Sequence, residues 1–554
     1  MIAAVAALAL ASAPAPEIPA WFRQARFGMF IHWGPVSLKG VEIGWARGDQ
    51  VPAEVYDALY KRFNPHQFDA DAWMRLAKRA GMRYVVPTAK HHDGFLLWPS
   101  KHDPFDYDIA DSPFKRDIMG EIAKAAKKEG ITMCTYYSIL DWKSPDYPLD
   151  RVGHAKPAPN MARHLATMEA QLSELMDRYG AKMVWFDGNW EAPYTRDDSL
   201  SLIRFLRGKY PKLILNNRID STKLLPDDPH GDYRTPEQVV GSYDTEHPWE
   251  TCMTLGDQWA YKPNDHYKTP ARVIEVLLQT VTGDGNLLLN VGPDSTGRIT
   301  AEQQAILEKV GEWTSKYGES IYGTRGGPYR NGAWGGTTRK SKTIYVQVTN
   351  WGNGEIDLPP LPAKIVSKRV LQKGVEVETT SDASGLKLKL KSSLPTGPTT
   401  IQLDLDRNAW SLGTIERHLV QPTDLSLDLE AGDAAVHGGT AKLQGDNIGY
   451  WTDPKNTVLW SFEAQKGDVS VELEYACEPD SAGSTFAVEV AGQTLVGTVE
   501  STGDWYTYHR VNLGKVSLPA GKAELTVRPL SMPHGAVMNL RAVRLRGFTQ
   551  FVLR

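Results

Sequence analysis

The sequence predicts an α/β fold, a TIM-like (β/α) barrel catalytic domain followed by all-β C-terminal β-sandwich domains. Three observations carry this expectation. Over residues 20–325, short β-rich runs alternate with amphipathic helical stretches, the pattern of a parallel sheet with crossover helices. No Gly-rich phosphate loop follows the first run, which disfavours a dinucleotide-binding sheet and leaves a barrel. Past residue 325, period-2 patterns and turn residues replace the alternation, as in antiparallel sandwiches.

Residues 1–19 form a leader: the apolar run Met1–Leu10 and then Ala11-Ser12-Ala13-Pro14 read as a signal peptide cut after Ala13, although no Lys or Arg precedes the run. A secreted or periplasmic protein follows, and the run is too short to span a bilayer. The barrel, 20–325, draws its strands from Phe27–Trp33, Tyr84–Lys90, Thr132–Ser138, Met183–Asp187, Leu213–Asn217 and Asn286–Val291. Helical patterns over Asp69–Ala80, Ile118–Glu129 and Met161–Tyr179 separate them. Residues 326–410 read as a small sandwich with strands at Thr343–Thr349, Leu386–Leu390 and Thr400–Leu405. Residues 411–554 read as a second, with strands at Val469–Tyr475, Phe486–Val490, His509–Leu513 and Ala523–Val527. There the segment Gly503–Tyr508 resembles carbohydrate-binding jelly rolls, and equally suits an aromatic strand packing its own sandwich.

Bulk properties narrow the function. A net charge of -4 without blocks of like charge argues against nucleic acid or an anionic membrane as partner. Cys134, Cys252 and Cys477 show neither a disulfide framework nor metal-ligand spacing. A barrel predicts chemistry at strand C-terminal ends, and polar residues gather there: His32, His91-His92, Tyr137, Asp187 and Asn216-Asn217-Arg218 each end a run. Asp187 closes the apolar run Lys182–Phe186 and precedes Gly188, which lets the backbone turn close to a ligand. An Asp in this setting serves either as a helix N-cap or as an ionised group aimed into a pocket. A metal reading of His32, His91 and His92 is set aside, because neighbours on a strand point to opposite faces and no further ligand follows at suitable spacing.

Five segments in order resemble glycoside hydrolase family 29, the α-L-fucosidases: Phe27–Gly34, Ala89–Phe95 (AKHHDGF), Tyr136-Tyr137-Ser138 with Asp141-Trp142, Val184–Gly188, and Gly285–Pro293 (GNLLLNVGP). The resemblance spans the barrel domain. It implies an exo-acting retaining enzyme that releases terminal L-fucose from an oligosaccharide or glycoconjugate, with no cofactor. Asp187 then matches the nucleophile, and His32, His91 and His92 match histidines that bond the sugar hydroxyls. Tyr137 and Trp185 match pocket-wall positions, Trp259 an aromatic on the apolar side of fucose, and Arg218 an arginine beside the nucleophile. Trp45 is kept, but Gly44 replaces the carboxylate that many members carry before it; Glu42 is the nearest substitute if this stretch is a strand. For the acid/base, Glu237 in Thr235-Pro236-Glu237 resembles a segment that serves in some members, with Glu250 as rival. Read only as structure, Glu237 is a first-turn helix residue after an N1 proline, and Glu250 a buried partner of an arginine. Burial near Trp or Tyr would favour whichever must carry a raised pKa. The alternatives are a related α-L-galactosidase and an inactive sugar-binding homologue.

Overall fold

The structure, a computed structural model, describes residues 18–221, 231–241, 243–332, 334–383, 385–415, 419–438, 440–444 and 447–547. The leader and its cleavage after Ala13 lie outside these residues. The chain divides into two compact units, the first ending at Arg325 and the second starting at Gly326. Among the described residues no helix is long and apolar enough to cross a membrane.

The first unit opens with α1 (Ala20–Ala25), and its strands are β1 (Phe27–Ile31), β2 (Tyr84–Lys90), β3 (Thr132–Met133) and β4 (Thr135–Ser138), β5 (Met183–Asp187), β6 (Ile214–Leu215), β7 (Glu250–Thr254) and β8 (Asn286–Val291). They pair in parallel in the order β6-β5-β4-β2-β1-β8-β7, with β3 beside the start of β2. Three single bridges, Asn216↔Tyr233, Arg234↔Trp249 and Glu237↔Cys252, join β6 to β7 through the stretch 233–237 and curl the sheet toward closure. The ring is thus completed by bridges rather than by a full strand. Helices α3 (Ala70–Ala80), α4 (Ile118–Glu129), α5 (Met161–Tyr179), α6 (Arg196–Lys209), α7 (Pro270–Thr282) and α8 (Ala301–Tyr317) cover the sheet; the short α2 (Ala53–Asp57) lies in the loop after β1. Asp69, Asp117, Asn160, Thr195, Thr269 and Thr300 cap the six long helices, each accepting a backbone N–H of the first turn.

Strand alternation sorts the core into two layers. Phe27, Met29, Ile31, Tyr137, Val184, Phe186, Leu287, Leu289 and Val291 pack against the helices. Phe30, Tyr84, Cys134, Tyr136, Met183, Trp185, Cys252 and Leu288 fill the lumen together with Phe22 of α1. Phe22 meets Tyr233 at 4.7 Å between ring centroids, and its carbonyl accepts from Asn286 Nδ2 at 2.8 Å, so α1 plugs the N-terminal end. Beside it the buried Arg26 pairs with Asp284 at 2.6 Å.

The second unit holds two separate apolar cores, one from Tyr329 to Leu412 and one from Leu419 to Leu545. The first lies under a sheet ordered Ile365–Val370, Thr399–Leu405, Thr343–Val348, Gly335–Lys340, with a smaller sheet of Glu355–Leu358, Gly385–Leu390 and Val377–Asp382. The second is a sandwich whose sheets centre on Thr457–Ala464 with Gly521–Ser531, and on Asn539–Gly547 with Gly467–Ala476. Val469, Val471, Leu473 and Tyr475 point inward at every second position. Gly503–Tyr508 is a loop before the strand His509–Leu518: Trp505 packs onto the sandwich core, whereas Tyr506 is 84% exposed.

Candidate active site

Lumen-facing parity decides which side chains reach the C-terminal end of the lumen. Phe30 is followed on the same face by His32, Trp185 by Asp187, and Leu288 by Asn290, so these polar groups crown the apolar lumen. Gly188 then turns with φ +86°, where a Cβ would lie 2.4 Å from Leu140. The Asn216 side chain accepts from Phe186 N and donates to Phe186 O, both at 2.9 Å, fixing the end of β5.

Asp187 is buried and fully engaged. Its Oδ2 accepts from the Tyr136 hydroxyl at 2.9 Å and its Oδ1 from Arg218 Nη1 at 2.8 Å; His92 Nε2 stands 3.6 Å from Oδ2. Burial alone would raise its pKa, but the Arg218 charge, then His92 and the two hydrogen bonds, outweigh burial and hold the carboxyl below its usual range. The other arm of the same guanidinium, Nη2, donates to Glu237 Oε2 at 2.7 Å, and Nε to Thr235 Oγ1 at 3.1 Å. Arg218 also lies over the Trp185 ring at 4.6 Å. One planar fork thus grips two carboxylates, Asp187 well buried and Glu237 with 39% of its side chain exposed. Both carboxyl groups are thereby held at the two ends of one guanidinium.

Three imidazoles stand beside these groups. His32 Nδ1 meets Asn290 Oδ1 at 2.7 Å, and His92 Nδ1 meets Ser138 Oγ at 2.6 Å. His91 stacks on Tyr136, 5.2 Å apart at 5°. Burial, the largest cause, lowers His32 to about 3 and His92 to about 4, and lowers His91 far below its usual value, so all three are neutral near pH 7. Trp259 completes an aromatic slot, 4.8 Å from His32 and 5.8 Å from Phe30.

The structure corrects several expectations. Tyr137 is not a pocket-wall residue: its hydroxyl donates to Gln171 at 2.6 Å and its ring joins the layer under the helices. Tyr136 holds the wall position, since it shares the lumen face with Cys134 and Ser138. His91 and His92 both face the site, because β2 ends at Lys90 and strand alternation no longer applies. Glu237 lies outside any helix, paired by a bridge to Cys252. Glu42 sits in a turn, not a strand, and accepts from the backbone N–H of Trp259 at 2.8 Å and Ala260 at 3.0 Å. It therefore shapes the slot through Trp259, and does not replace the missing carboxylate beside Trp45.

Glu250, the rival acid/base, lies at the wrong end of the barrel. It begins β7 opposite Asn286, the first residue of β8, and is wholly buried, accepting from Trp185 Nε1 at 3.0 Å and from the Tyr84 hydroxyl. Burial pushes its pKa up to about 8. A raised pKa alone would select it, but the Trp185 indole stands between it and the pocket, and reach to the reacting atoms comes first. Its partners are three aromatics, Tyr84, Trp185 and Tyr233, not an arginine.

Trp45 is 39% exposed and packs against His92 at 5.6 Å, Trp142 at 5.1 Å and Trp190 at 6.1 Å. Trp190, itself 41% exposed, escapes sequence reasoning; its place three residues after Asp187 was the available signal. Glu191 orders this wall by accepting from Trp142 Nε1 at 3.0 Å and the Tyr147 hydroxyl at 2.7 Å. Among the described residues, Asp103, Asp108 and Asp111 form the one group with metal-ligand spacing, and it includes no residue of this site. Their oxygens accept backbone N–H groups of their own loop, such as Phe105 at 3.0 Å and Ser100 at 2.8 Å.

Comparisons with known proteins identify the family. The Alpha-L-fucosidase family profile matches residues 7–319. The tissue alpha-L-fucosidase of Mus musculus is 30% identical over 427 residues, covering 71% of this chain and 91% of that protein. Alpha-L-fucosidase isoenzyme 1 of Paenibacillus thiaminolyticus is 33% identical, with a TM-score of 0.64 over 70% of this chain and 98% of its own. A Bacteroides thetaiotaomicron alpha-L-fucosidase, solved as a trapped covalent intermediate with 2-fluoro-fucosyl fluoride, is 30% identical with a TM-score of 0.64, covering 70% of this chain and 95% of its own. Matched over more than half its length by the family profile, the chain belongs to the α-L-fucosidase family.

Proposed function

We propose that this protein releases terminal L-fucose by double displacement, with Asp187 as nucleophile and Glu237 as acid/base. The observation that carries the reading is the Arg218 fork, which aligns and charges Asp187 while holding Glu237 beside it. In the first step an Asp187 oxygen bonds the anomeric carbon as the bond to the leaving oxygen breaks, and Glu237 gives that oxygen its proton. The fucosyl ester removes the charge of Asp187, while Arg218 keeps its contact with Glu237. In the second step the Glu237 carboxylate takes a proton from water, whose oxygen attacks the anomeric carbon and frees Asp187 with net retention. Trp259 and Phe30 offer an apolar surface to the C5 methyl group, and the neutral imidazoles suit hydroxyls. A secreted or periplasmic location agrees with the N-terminal run. The test is hydrolysis of aryl and natural α-1,2, α-1,3, α-1,4 and α-1,6 fucosides followed by NMR: α-fucose appears first. Absence of hydrolysis, or β-fucose as first product, contradicts the reading.

The buried histidines set the pH dependence. Since His92 takes a proton only as pH falls through about 4, and Asp187 stays ionised below the usual carboxylate range, kcat/KM keeps its acid limb well under the 6.5 of an ordinary histidine. A pH profile of kcat/KM, with circular dichroism confirming the fold, checks this; an acid limb near 6.5 contradicts it.

Glu250→Gln separates the two glutamates. Glu250 keeps its proton in the folded protein up to about 8 against an ordinary 4.5, so the folded state binds more protons across that window. Its contribution to stability is full below 4.5 and is lost as pH rises to about 8. Glu250→Gln removes this dependence, so the melting temperature of wild type falls relative to the variant over that window. Activity stays well above the ~10²–10⁴-fold loss expected of a missing general acid.

A further inference from the structure

We infer that Ser138 is a positioning residue: it fixes the His92 proton on Nδ1 and presents Nε2 to the pocket as a bare acceptor, so the sugar hydroxyl that meets His92 must donate. Ser138 has one proton and two neighbours. Its Oγ lies 2.8 Å from the Leu140 carbonyl oxygen, which can only accept, and 2.6 Å from His92 Nδ1. With the hydroxyl turned to Nδ1, two oxygens would face each other at 2.8 Å with no proton between them. The Ser138 proton therefore goes to Leu140, and Nδ1–H donates to Ser138. The carbonyl is itself held: Lys90 Nζ reaches it at 3.4 Å and is anchored by Asp141 Oδ2 at 3.3 Å. Trp142 N donates to His92 O at 2.9 Å, tying the turn to the histidine backbone.

The far nitrogen shows why the tautomer matters. His92 Nε2 is buried, has no hydrogen-bond partner within the protein, and faces Asp187 Oδ2 at 3.6 Å. A proton there would aim a donor at the nucleophile, in competition with Tyr136. Burial also keeps the ring neutral down to about 4, so the acceptor persists at working pH. A second lock acts independently on the neighbouring ring. Asn290 Nδ2 donates to Trp259 O at 2.7 Å, which orients the amide so that Oδ1 faces His32 Nδ1 at 2.7 Å and makes that nitrogen the protonated one. His32 and His92 are thus both read as Nδ1–H tautomers, giving the site a pair of imidazole acceptors. The tautomer follows from the protein alone; only its consequence for substrate rests on the fucosidase reading.

The test is the ¹⁵N spectrum of histidine-labelled, ligand-free protein at neutral pH, with the His92 signals assigned by their loss in His92→Gln. The expected result is an Nδ1–H tautomer in wild type and a shift toward Nε2–H, or a mixture, in Ser138→Ala. Ser138→Ala is expected to lose roughly 10–100-fold in kcat/KM on an aryl fucoside, taking as guide the range known for partners that orient metal-bound histidines. Nε2–H in wild type overturns the inference, as does an unchanged tautomer in Ser138→Ala, whatever its activity. If the variant does not fold, the wild-type spectrum decides alone. If wild type hydrolyses no fucoside, the functional reading fails while the spectrum still judges the tautomer.

Discussion

Asp187→Gly loses roughly 10⁴–10⁶-fold in kcat on an aryl α-L-fucoside, the scale seen when a group of covalent machinery is removed. No neighbour replaces it. Tyr136 and Arg218, which hold its two oxygens, offer no nucleophile in the protonation states their surroundings impose: burial raises the Tyr136 hydroxyl, and the arginine stays charged. Glycine opens a small space where the carboxylate stood. Added azide is expected to enter it and attack from the nucleophile's side, giving β-fucosyl azide and restoring turnover. The melting temperature separates this outcome from unfolding, because the variant also leaves Arg218 with Glu237 as its one carboxylate partner among the described residues.

Glu237→Gln loses roughly 10²–10⁴-fold on substrates with poor leaving groups, the usual share of a general acid. Its loss is smaller on an activated aryl fucoside, where departure needs little proton transfer. Azide then attacks the accumulated fucosyl-enzyme and yields α-fucosyl azide, the opposite anomer to that from Asp187→Gly. The two rescue products therefore assign the two roles without reference to distances. A normal rate for Glu237→Gln on natural fucosides removes Glu237 from the mechanism.

Much of the barrel was legible because its strands are buried on both faces and read as apolar runs. The helices α4 and α5 match the expected spans Ile118–Glu129 and Met161–Tyr179, since their apolar faces and Gly stops at Gly130 and Gly180 are local signals. Strand β7 was not legible: Glu250-Thr251-Cys252-Met253-Thr254 is too polar for a buried strand until Tyr84 and Trp185 supply partners for Glu250 across the lumen. The bridge at 233–237 is too short to carry a period.

Within the site, the residues that end strands could be read directly, but their facing could not. The choice of Tyr137 over Tyr136 turns on parity, and parity there is obscured by the break at Cys134 between β3 and β4. The chain turns at Gly44, with φ +68°, so residues 42 and 44 do not share a strand face, and no local signal in the sequence marks that turn. Trp190 sits in a loop, where no periodicity marks a side chain as facing a pocket. The Thr235-Pro236-Glu237 motif already favours Glu237 over Glu250, but the buried place of Glu250 at the start of β7 is a fact that no local motif contains.

The most direct test of the account is to inactivate the protein with 2-deoxy-2-fluoro-α-L-fucosyl fluoride, which forms the ester quickly and loses it slowly, and to map the label by mass spectrometry of a peptic digest. One fluorofucosyl group on the peptide spanning Met183–Gly188, fragmenting to Asp187, is the predicted result. A label on any other residue, or complete turnover of the reagent with no adduct and a β product, contradicts it.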